Sequence, residues 1–313
     1  MAWRFEAGEP LADAFRRVAT EEIASIAAAL KASDKDPAEA VHETRQGLKR
    51  LRALLRLARP TLGSAYKRED RRWRDAGRSL AASRDGTVLE SAFDKLVKKA
   101  GNKLPAEHIA SMRGQLHDGS GGNATDAGQR RKRILRTLAN ASQRLATLPW
   151  PMTSDDLHRG LTMSQKRLRT SWKAVKDDPQ PEFLHRWRKR VKDQATQLRL
   201  LRDLLSDEMR GRRAVEKATA ELLGDDHDLW LLAERLSGAS IPIGAEPSRD
   251  LLLAALVKRR KALRRKAIKV GEAASSDKPQ AFAKAVVASW NAAAPARGGG
   301  VAATRKRPIS RSR

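Results

Sequence analysis

The sequence predicts an all-α protein, and two observations support this. Residues that favour strands are scarce, and aromatic side chains make up only 4% of the 313 residues. Residues that favour helices are abundant, and they recur in amphipathic segments separated by breakers such as Asp36-Pro37, Pro60 and Gly224. The predicted helices are 10–31, 37–59, 65–82, 86–100, 128–147, 155–176, 180–206, 209–223, 227–237, 248–270 and 278–291.

The charge balance predicts a polyanionic partner. The chain has 64 Lys and Arg against 37 Asp and Glu, a net charge of +27. This excess attracts nucleic acids, anionic membrane surfaces or phosphate polymers. The absence of cysteine excludes disulfides, thiolate metal ligands and thiol catalysis. The longest apolar runs, at 23–30 and 251–257, are too short to span a bilayer, and no secretory signal is evident. We therefore expect a cytoplasmic protein with no membrane partner.

An internal repeat organises the chain. Shifting the sequence so that His42 falls on His185 also places Arg45 on Arg188, and gives eight identities over residues 42–62. One register held without a gap indicates two related parts rather than shared composition. The two predicted helical halves are residues 10–147 and 153–291.

The C-terminal segment differs from both halves. After Ala294 the chain carries six positive charges and no negative one, among Gly, Pro and Ser. This composition predicts a disordered basic tail over residues 292–313. Without those six charges the folded part keeps about +21 (27 − 6), so the excess charge belongs to the domain.

Each half carries a basic stripe along one helix, and the second stripe, at the equivalent position in the other half, includes His185, Arg188, Lys192 and Arg199. The first basic stripe consists of His42, Arg45, Lys49, Arg52, Arg56 and Arg59, which fall within an arc of about 100° on a helix. An ordinary solvated helix face is the alternative interpretation. Such faces interleave acids, however, and residues 44–68 contain no Asp or Glu. A bound anion that relieves the repulsion explains the pattern best.

The two halves also share a predicted turn between two helices. The segments 79–93 and 221–236 each predict a helix end, a tight turn and the start of the next helix, with Asp226 as N-cap in the second. Arg84 and His227 then fall in the first turn of the following helix, where they are candidate ligand contacts. The acidic residue after each is either a structural cap or a site residue.

The six histidines do not predict a metal site. His42 and His185 lack a second histidine or carboxylate at ligand spacing, and their i+3 neighbours, Arg45 and Arg188, would repel a cation. Beside a polyanion, the pKa of a histidine rises and the ring becomes one more cationic donor.

The segments VHETRQGLKRLRALLRL and LHRWRKRVKDQATQLRLL, with LAASRDGTVL and LLGDDHDLWLL after them, resemble the CHAD (conserved histidine α-helical domain) family. The resemblance implies a single CHAD domain over residues 1–291. It also implies two pseudo-symmetric four-helix-type bundles around a central basic groove or pore, and binding of inorganic polyphosphate.

The resemblance also implies a set of binding residues. LTMSQKRLR resembles a family segment with a Tyr before basic residues, and Gln165 stands at the place of that Tyr. Arg52 has Ala195 as its counterpart, so we expect the first stripe to contribute more than the second. The predicted polyphosphate-binding residues are His42, Arg45, Lys49, Arg52, Arg56, Arg84, Lys166, Arg169, His185, Arg188, Lys189, Lys192, Arg199 and His227.

The sequence thus favours a non-enzymatic polyphosphate-binding protein without metal or cofactor, with association to polyphosphate or storage granules as a further hypothesis. A nucleic-acid-binding protein is the first alternative. The basic tail supports weak non-specific binding, but few aromatic residues are available for base stacking. A metal-dependent phosphohydrolase is the second alternative, although the basic stripes carry no clustered carboxylates to hold a metal.

Overall fold

The computed structural model describes residues 3–32, 36–80, 85–100, 104–117, 124–238 and 245–293. Within these ranges the regular secondary structure is entirely helical, so the predicted all-α class is confirmed. None of the described helices is long and apolar enough to cross a membrane. The helices are α1 (Leu11–Lys31), α2 (Pro37–Leu57), α3 (Arg59–Ser79), α4 (Asp85–Ala100), α5 (Ala106–His117), α6 (Ala124–Ala139), α7 (Ala141–Ala146), α8 (Ser154–Asp177), α9 (Pro181–Leu200), α10 (Asp207–Ser237), α11 (Glu246–Ser276) and α12 (Pro279–Ala293).

Local sequence signals account for the starts of the helices that matter most for the site. The Asp36 carboxylate accepts a hydrogen bond from the backbone N–H of Glu39 at 2.9 Å, and Pro37 occupies the first turn of α2. At α8, Thr153 and Asp156 form a reciprocal capping box. These caps satisfy backbone donors that would otherwise have no partner at the helix ends.

The helices pack into two groups of four. In the first group α1 packs against α2, α2 against α3, and α6 closes the ring by contacting both α3 and α1. In the second group α8, α9, α10 and α11 contact one another in the same cyclic order, and α12 packs along α8. Buried apolar stripes fill both interiors, and Trp73 and Trp187 are among the largest fully buried side chains.

The two groups are not independent. Helix α4 packs against α10 and α11 of the second group, and α5 packs against α4 and shares a buried apolar cluster with those helices. Leu89 and Phe93 of α4 share one buried apolar cluster with Leu232 and Leu236 of α10. In the register that matches His42 with His185, Leu89 matches Leu232 and Phe93 matches Leu236. Residues that the predicted repeat would make equivalent therefore lie in the same buried cluster.

The starts of the helices follow the same register. Helix α1 begins at Leu11 and α8 begins at Ser154, the position that this register assigns to Leu11. Helix α2 begins at Pro37, and α9 begins at Pro181, one position beyond the match. The shared cluster and the helix starts agree with this register, and the internal repeat itself stays a prediction.

Three local predictions were wrong. The predicted turn after Gly224 is absent, because α10 runs unbroken through it and the predicted N-cap Asp226 lies inside the helix. Packing by α9 and α11 outweighs the cost of about 1 kcal/mol that a glycine imposes on a helix interior. Helix α5 was missed, and the predicted helix 128–147 is divided at Asn140 between α6 and α7. Residue 84 and its neighbours 81–83 lie outside the described residues.

Candidate anion-binding site

Helices α2 and α9 pack directly against each other, and their contacts run antiparallel. The Gln197 side chain donates a hydrogen bond to the carbonyl of Ala53 at 3.1 Å. Arg56 of α2 donates to Asp193 of α9 at 2.5 Å. On the other side of this crossing, burial and then the charge of Arg50 lower the pKa of Arg199. Higher residue numbers on α2 are therefore paired with lower residue numbers on α9, so the two helices run antiparallel.

This antiparallel register separates the two histidine ends of the stripes. His42 lies eleven positions before Ala53, which is about 16 Å along a helix, and His185 lies about as far from the crossing along α9. The two ends point in opposite directions, so they are roughly 30 Å apart along the pair. The stripes consequently do not face each other along their whole length.

The two stripes instead meet near the middle. Burial lowers the pKa of Lys189, and the charges of Arg190, Arg188 and Arg52 lower it further. The charge of Arg52 on α2 therefore reaches Lys189 on α9, and the two basic stripes lie within electrostatic range of each other near the crossing. We refer to the joined surface as the cationic strip, formed by His42, Arg45, Lys49, Arg52 and Arg56 of α2 and by His185, Arg188, Lys189 and Lys192 of α9.

Acidic side chains from other helices neutralise part of the first stripe. Arg52 donates to both carboxylate oxygens of Asp70 on α3, at 2.9 and 3.3 Å. Arg56 pairs with Asp193 and also lies 3.7 Å from Asp70. Burial raises the pKa of Asp193, and the adjacent Arg56 opposes that rise. The repulsion predicted within the stripe is therefore relieved partly inside the protein, without an anion.

Two further arginines at the crossing were missed by the sequence analysis. Arg190 of α9 donates to Asp193 at 3.4 Å, and Arg167 of α8 lines a small cleft with Arg56. Burial lowers the pKa of Arg167, and the charges of Arg190 and Arg59 lower it further. Neither Arg167 nor Arg190 belongs to the repeated pattern of the stripes, so only the packing of α8 against α9 reveals them.

Equivalent arginines in the two halves meet equivalent backbone segments. Arg45 donates to the carbonyl of Leu80, at the end of α3, at 2.7 Å. Its counterpart Arg188 approaches α10 at Gly224, where a methyl group would lie 3.9 Å from Nη2 of the arginine. The guanidinium of Arg45 is thus held in place by main chain, and that of Arg188 lies close to the backbone of α10. An immobilised guanidinium loses less side-chain entropy when it binds an anion.

At the start of α9, three aromatic rings lie together. The ring of His185 is 4.8 Å from that of His227, and His227 stacks on Trp230 at 5.6 Å. Burial lowers the pKa of His227 to about 4, and the charges of Arg188 and His185 act in the same direction. Burial, with Lys189 and Arg188, also lowers the pKa of His185. Both rings are therefore neutral at pH 7 before an anion arrives.

The other predicted residues occupy separate places. Lys166 is exposed and Arg169 half-buried on α8. Arg199 lies beside Arg50, on the far side of the crossing from the histidine pair. Arg84 lies outside the described residues, so its position stays a prediction.

Gln165, which the resemblance predicts at the place of a tyrosine, has a structural role. It is buried, donates to the carbonyl of Ala274 at 3.1 Å, and accepts from Arg212 at 3.0 Å. Gln194 donates to the same amide oxygen at 2.9 Å. These contacts tie α8 to α9, α10 and α11 beneath the surface that bears Lys166.

Carboxylates near the strip are engaged by arginines. Asp70, Asp193 and Asp226 all accept hydrogen bonds or ion pairs from arginine side chains. Among the described residues, no three His, Cys, Asp or Glu side chains are grouped so that they could hold a metal ion.

Fold and charge together define the class of this chain, an all-α protein with a concentrated cationic surface at the contact of two central helices. Comparison with protein families matches the CHAD domain over residues 15–237, well over half of the chain. The protein belongs to the CHAD family. This family is associated with polyphosphate binding rather than with catalysis. The match ends with α10, although α11 and α12 pack into the same fold.

A solved structure has the same fold. The chain titled "PptA from Streptomyces chartreusis" superposes with a TM-score of 0.63 at 16% sequence identity. The similarity covers 84% of this chain and 100% of that one. Comparison with proteins of curated function gives no match.

Proposed function

We propose that this protein binds inorganic polyphosphate along the cationic strip and does not hydrolyse it. The observation that carries the proposal is the crossing of α2 and α9, where Arg56 pairs with Asp193 at 2.5 Å, because it brings the basic stripes of the two helices within electrostatic range of each other. Polyphosphate is a flexible linear anion, and a linear array of guanidinium and ammonium groups suits it. CHAD family membership supports the same ligand.

The geometry suggests a preference for long chains. The strip extends roughly 30 Å from His42 to His185 if both helices are followed through their crossing. A short polyphosphate can occupy only part of it, whereas a long chain can contact both ends simultaneously. Each added phosphate contact releases counterions, so long chains should show the steeper dependence on salt.

A titration with polyphosphates of graded length at several ionic strengths tests the proposal. The variants Arg45→Glu plus Arg188→Glu reverse one charge near each end of the strip and should abolish binding. Lys49→Glu plus Lys192→Glu, at two exposed positions, gives an independent pair less dependent on folding. Circular dichroism then checks that the helical fold is kept.

A matched control reverses two charges elsewhere. The side chains of Arg16 and Arg210 are 42% and 52% exposed, and each pairs with an aspartate three residues earlier on its own helix. Arg16→Glu plus Arg210→Glu changes the net charge equally and should weaken binding only slightly. Normal binding by both strip variants, or equal loss in the control, would show that total charge rather than the strip holds the ligand.

Two competing functions are tested alongside. DNA and ATP serve as competitors, and polyphosphate should displace DNA at low concentration if the strip is specific. Displacement only at a large excess would favour the nucleic-acid alternative. Release of phosphate from polyphosphate with Mg²⁺ or Mn²⁺ would contradict the non-enzymatic assignment.

Recruitment of the protein to polyphosphate-containing granules is a consequence of the proposal and is tested by imaging cells with and without polyphosphate.

A further inference from the structure

A cavity of about 200 Å³ lies between the start of α9, the middle of α10 and the middle of α11. It is several times larger than the volume that one water occupies in the liquid, about 30 Å³. We call it the end pocket. The lining residues important here are His185, Arg188, His227, Trp230, Arg260 and Arg264.

Two buried nitrogen atoms of the end pocket have no hydrogen-bond partner. They are Nη2 of Arg264 and Nδ1 of His185. Leaving a buried polar group unsatisfied is costly, and folded proteins seldom do so without a functional reason. An oxygen-rich anion in the cavity would accept from the guanidinium and, in the appropriate tautomer, from the imidazole ring.

Asp226 positions two of the arginines. Its carboxylate accepts from Nε of Arg260 at 3.2 Å and from Nε of Arg264 at 3.0 Å. Both guanidinium groups are thereby fixed through Nε. Of the described side chains that line the cavity, three are arginines and two are carboxylates, Asp226 and the exposed Glu182, so the cavity keeps a net positive charge.

The position of the end pocket relates it to the cationic strip. His185 and Arg188 belong to both, and they lie at the end of the strip formed by the start of α9. The rest of the lining includes the arginines Arg260 and Arg264 and the apolar side chains of Leu184, Leu223 and Trp230.

We propose that the end pocket holds the terminal phosphate of a polyphosphate chain whose remaining length lies along the cationic strip. A terminal phosphate has three free oxygens and a second ionisation near neutral pH, whereas an internal phosphate has two free oxygens and one charge. The extra oxygen and charge suit the guanidinium and imidazole donors that line part of this otherwise largely apolar cavity. This inference rests on the proposed function and adds recognition of the chain end to it.

The same pocket is not repeated in the sequence of the first half. The register of the repeat places Arg84 opposite His227 and Thr87 opposite Trp230. The aromatic part of the lining therefore belongs to the second half alone. We expect one chain end to be held per protein molecule, and the chain to run in one direction along the strip.

The test compares polyphosphate of one length with free ends and with both ends blocked as esters. The wild-type protein should bind the free-ended chain about tenfold more tightly, which corresponds to one charge-assisted hydrogen-bond set. Arg264→Gln should remove this preference and leave the affinity for the blocked chain unchanged. Arg260→Gln provides a second variant if the first does not fold. Arg265→Gln, at the adjacent exposed position, is the matched control and should retain the preference.

The outcomes separate the end pocket from the strip. Equal affinity of the wild type for free and blocked chains would overturn the end-pocket proposal and leave the strip intact. No binding of either chain would overturn the proposed function itself. Orthophosphate or pyrophosphate that binds with the same dependence on Arg264, without any preference for free chain ends, would assign the pocket to a free phosphate and would also overturn the proposal.

Discussion

Asp193→Asn is a sharp test of the cationic strip, because it should lower stability and raise affinity together. Asp193 lies where α2 crosses α9. Its carboxylate pairs with Arg56 at 2.5 Å and with Arg190 at 3.4 Å. The substitution keeps the size of the side chain, so it removes the charge with little change in packing.

The loss of stability follows from two arginines that lose their partner. Removing one member of a buried ion pair costs about 3–5 kcal/mol. The cost here is smaller, because the Arg56 and Asp193 side chains are 15% and 18% exposed and Arg56 keeps Asp70 at 3.7 Å. We expect a free energy of unfolding lowered by about 2 kcal/mol, equivalent to a Tm lowered by roughly 5 °C in a chain of this size.

The gain in affinity follows from Coulomb's law. A carboxylate about 6 Å from a bound phosphate repels it by about 1.4 kcal/mol at an effective dielectric constant of about 40. Removing this repulsion should tighten polyphosphate binding about tenfold at low salt, and the gain should shrink as salt screens the charges.

Thermal unfolding and polyphosphate titration measure the two effects on the same samples. Asp13→Asn is the matched control, because it also removes one aspartate charge but at an exposed i,i+3 pair with Arg16 on α1. The control should change stability by less than about 1 kcal/mol and affinity only slightly. If Asp193→Asn binds no more tightly than the control, phosphate does not lie near the crossing and the reasoning is wrong.

Two further predictions concern proton linkage and helix packing. Burial lowers the pKa of His227 to about 4 in the free protein, and a bound polyanion favours the charged ring, so binding should take up a proton. Affinity should then rise as pH falls from 7 towards 4, by at most about tenfold per pH unit for one histidine, and His227→Asn should flatten a profile measured at constant salt. Gly160→Ala should destabilise the contact of α8 with α2 by about 3 kcal/mol in urea unfolding, because the added methyl would overlap the carbonyl oxygen of Leu57. Gly211→Ala, where nothing lies within 4 Å, should instead stabilise by up to about 1 kcal/mol, and similar behaviour of both variants would contradict the close packing.

The helical content was predictable because it depends on local signals. Helix α2 begins where Asp36-Pro37 indicated, and α12 covers nearly the predicted 278–291. The continuous α10 was not predictable. A glycine followed by acidic residues, as at Gly224, normally indicates a turn and the start of a new helix. Tertiary packing overrode that signal, and Asp226 became the anchor of Arg260 and Arg264 instead of a cap.

The candidate site shows the same division between local and tertiary information. The residues of both stripes could be chosen from the sequence, because a spacing of three or four positions places them on one helix face. Their electrostatic surroundings could not, because Asp70 is 18 positions from Arg52 and Asp193 is 137 positions from Arg56. The sequence predicted a helix face without acidic residues. In the structure, neighbouring helices place acidic side chains beside that face.

By itself, the sequence determined the all-α class, the repeated His/Arg/Lys spacing and the strong attraction to polyanions. These depend on composition and on periodicity within single helices. Only the tertiary structure decided that α2 and α9 run antiparallel, so that the two stripes approach each other at the helix crossing and their histidine ends point apart. It also brought Arg260 and Arg264 to the end pocket beside His185. The physical reason is that burial, ion pairing and helix register are set by contacts between residues far apart in the chain.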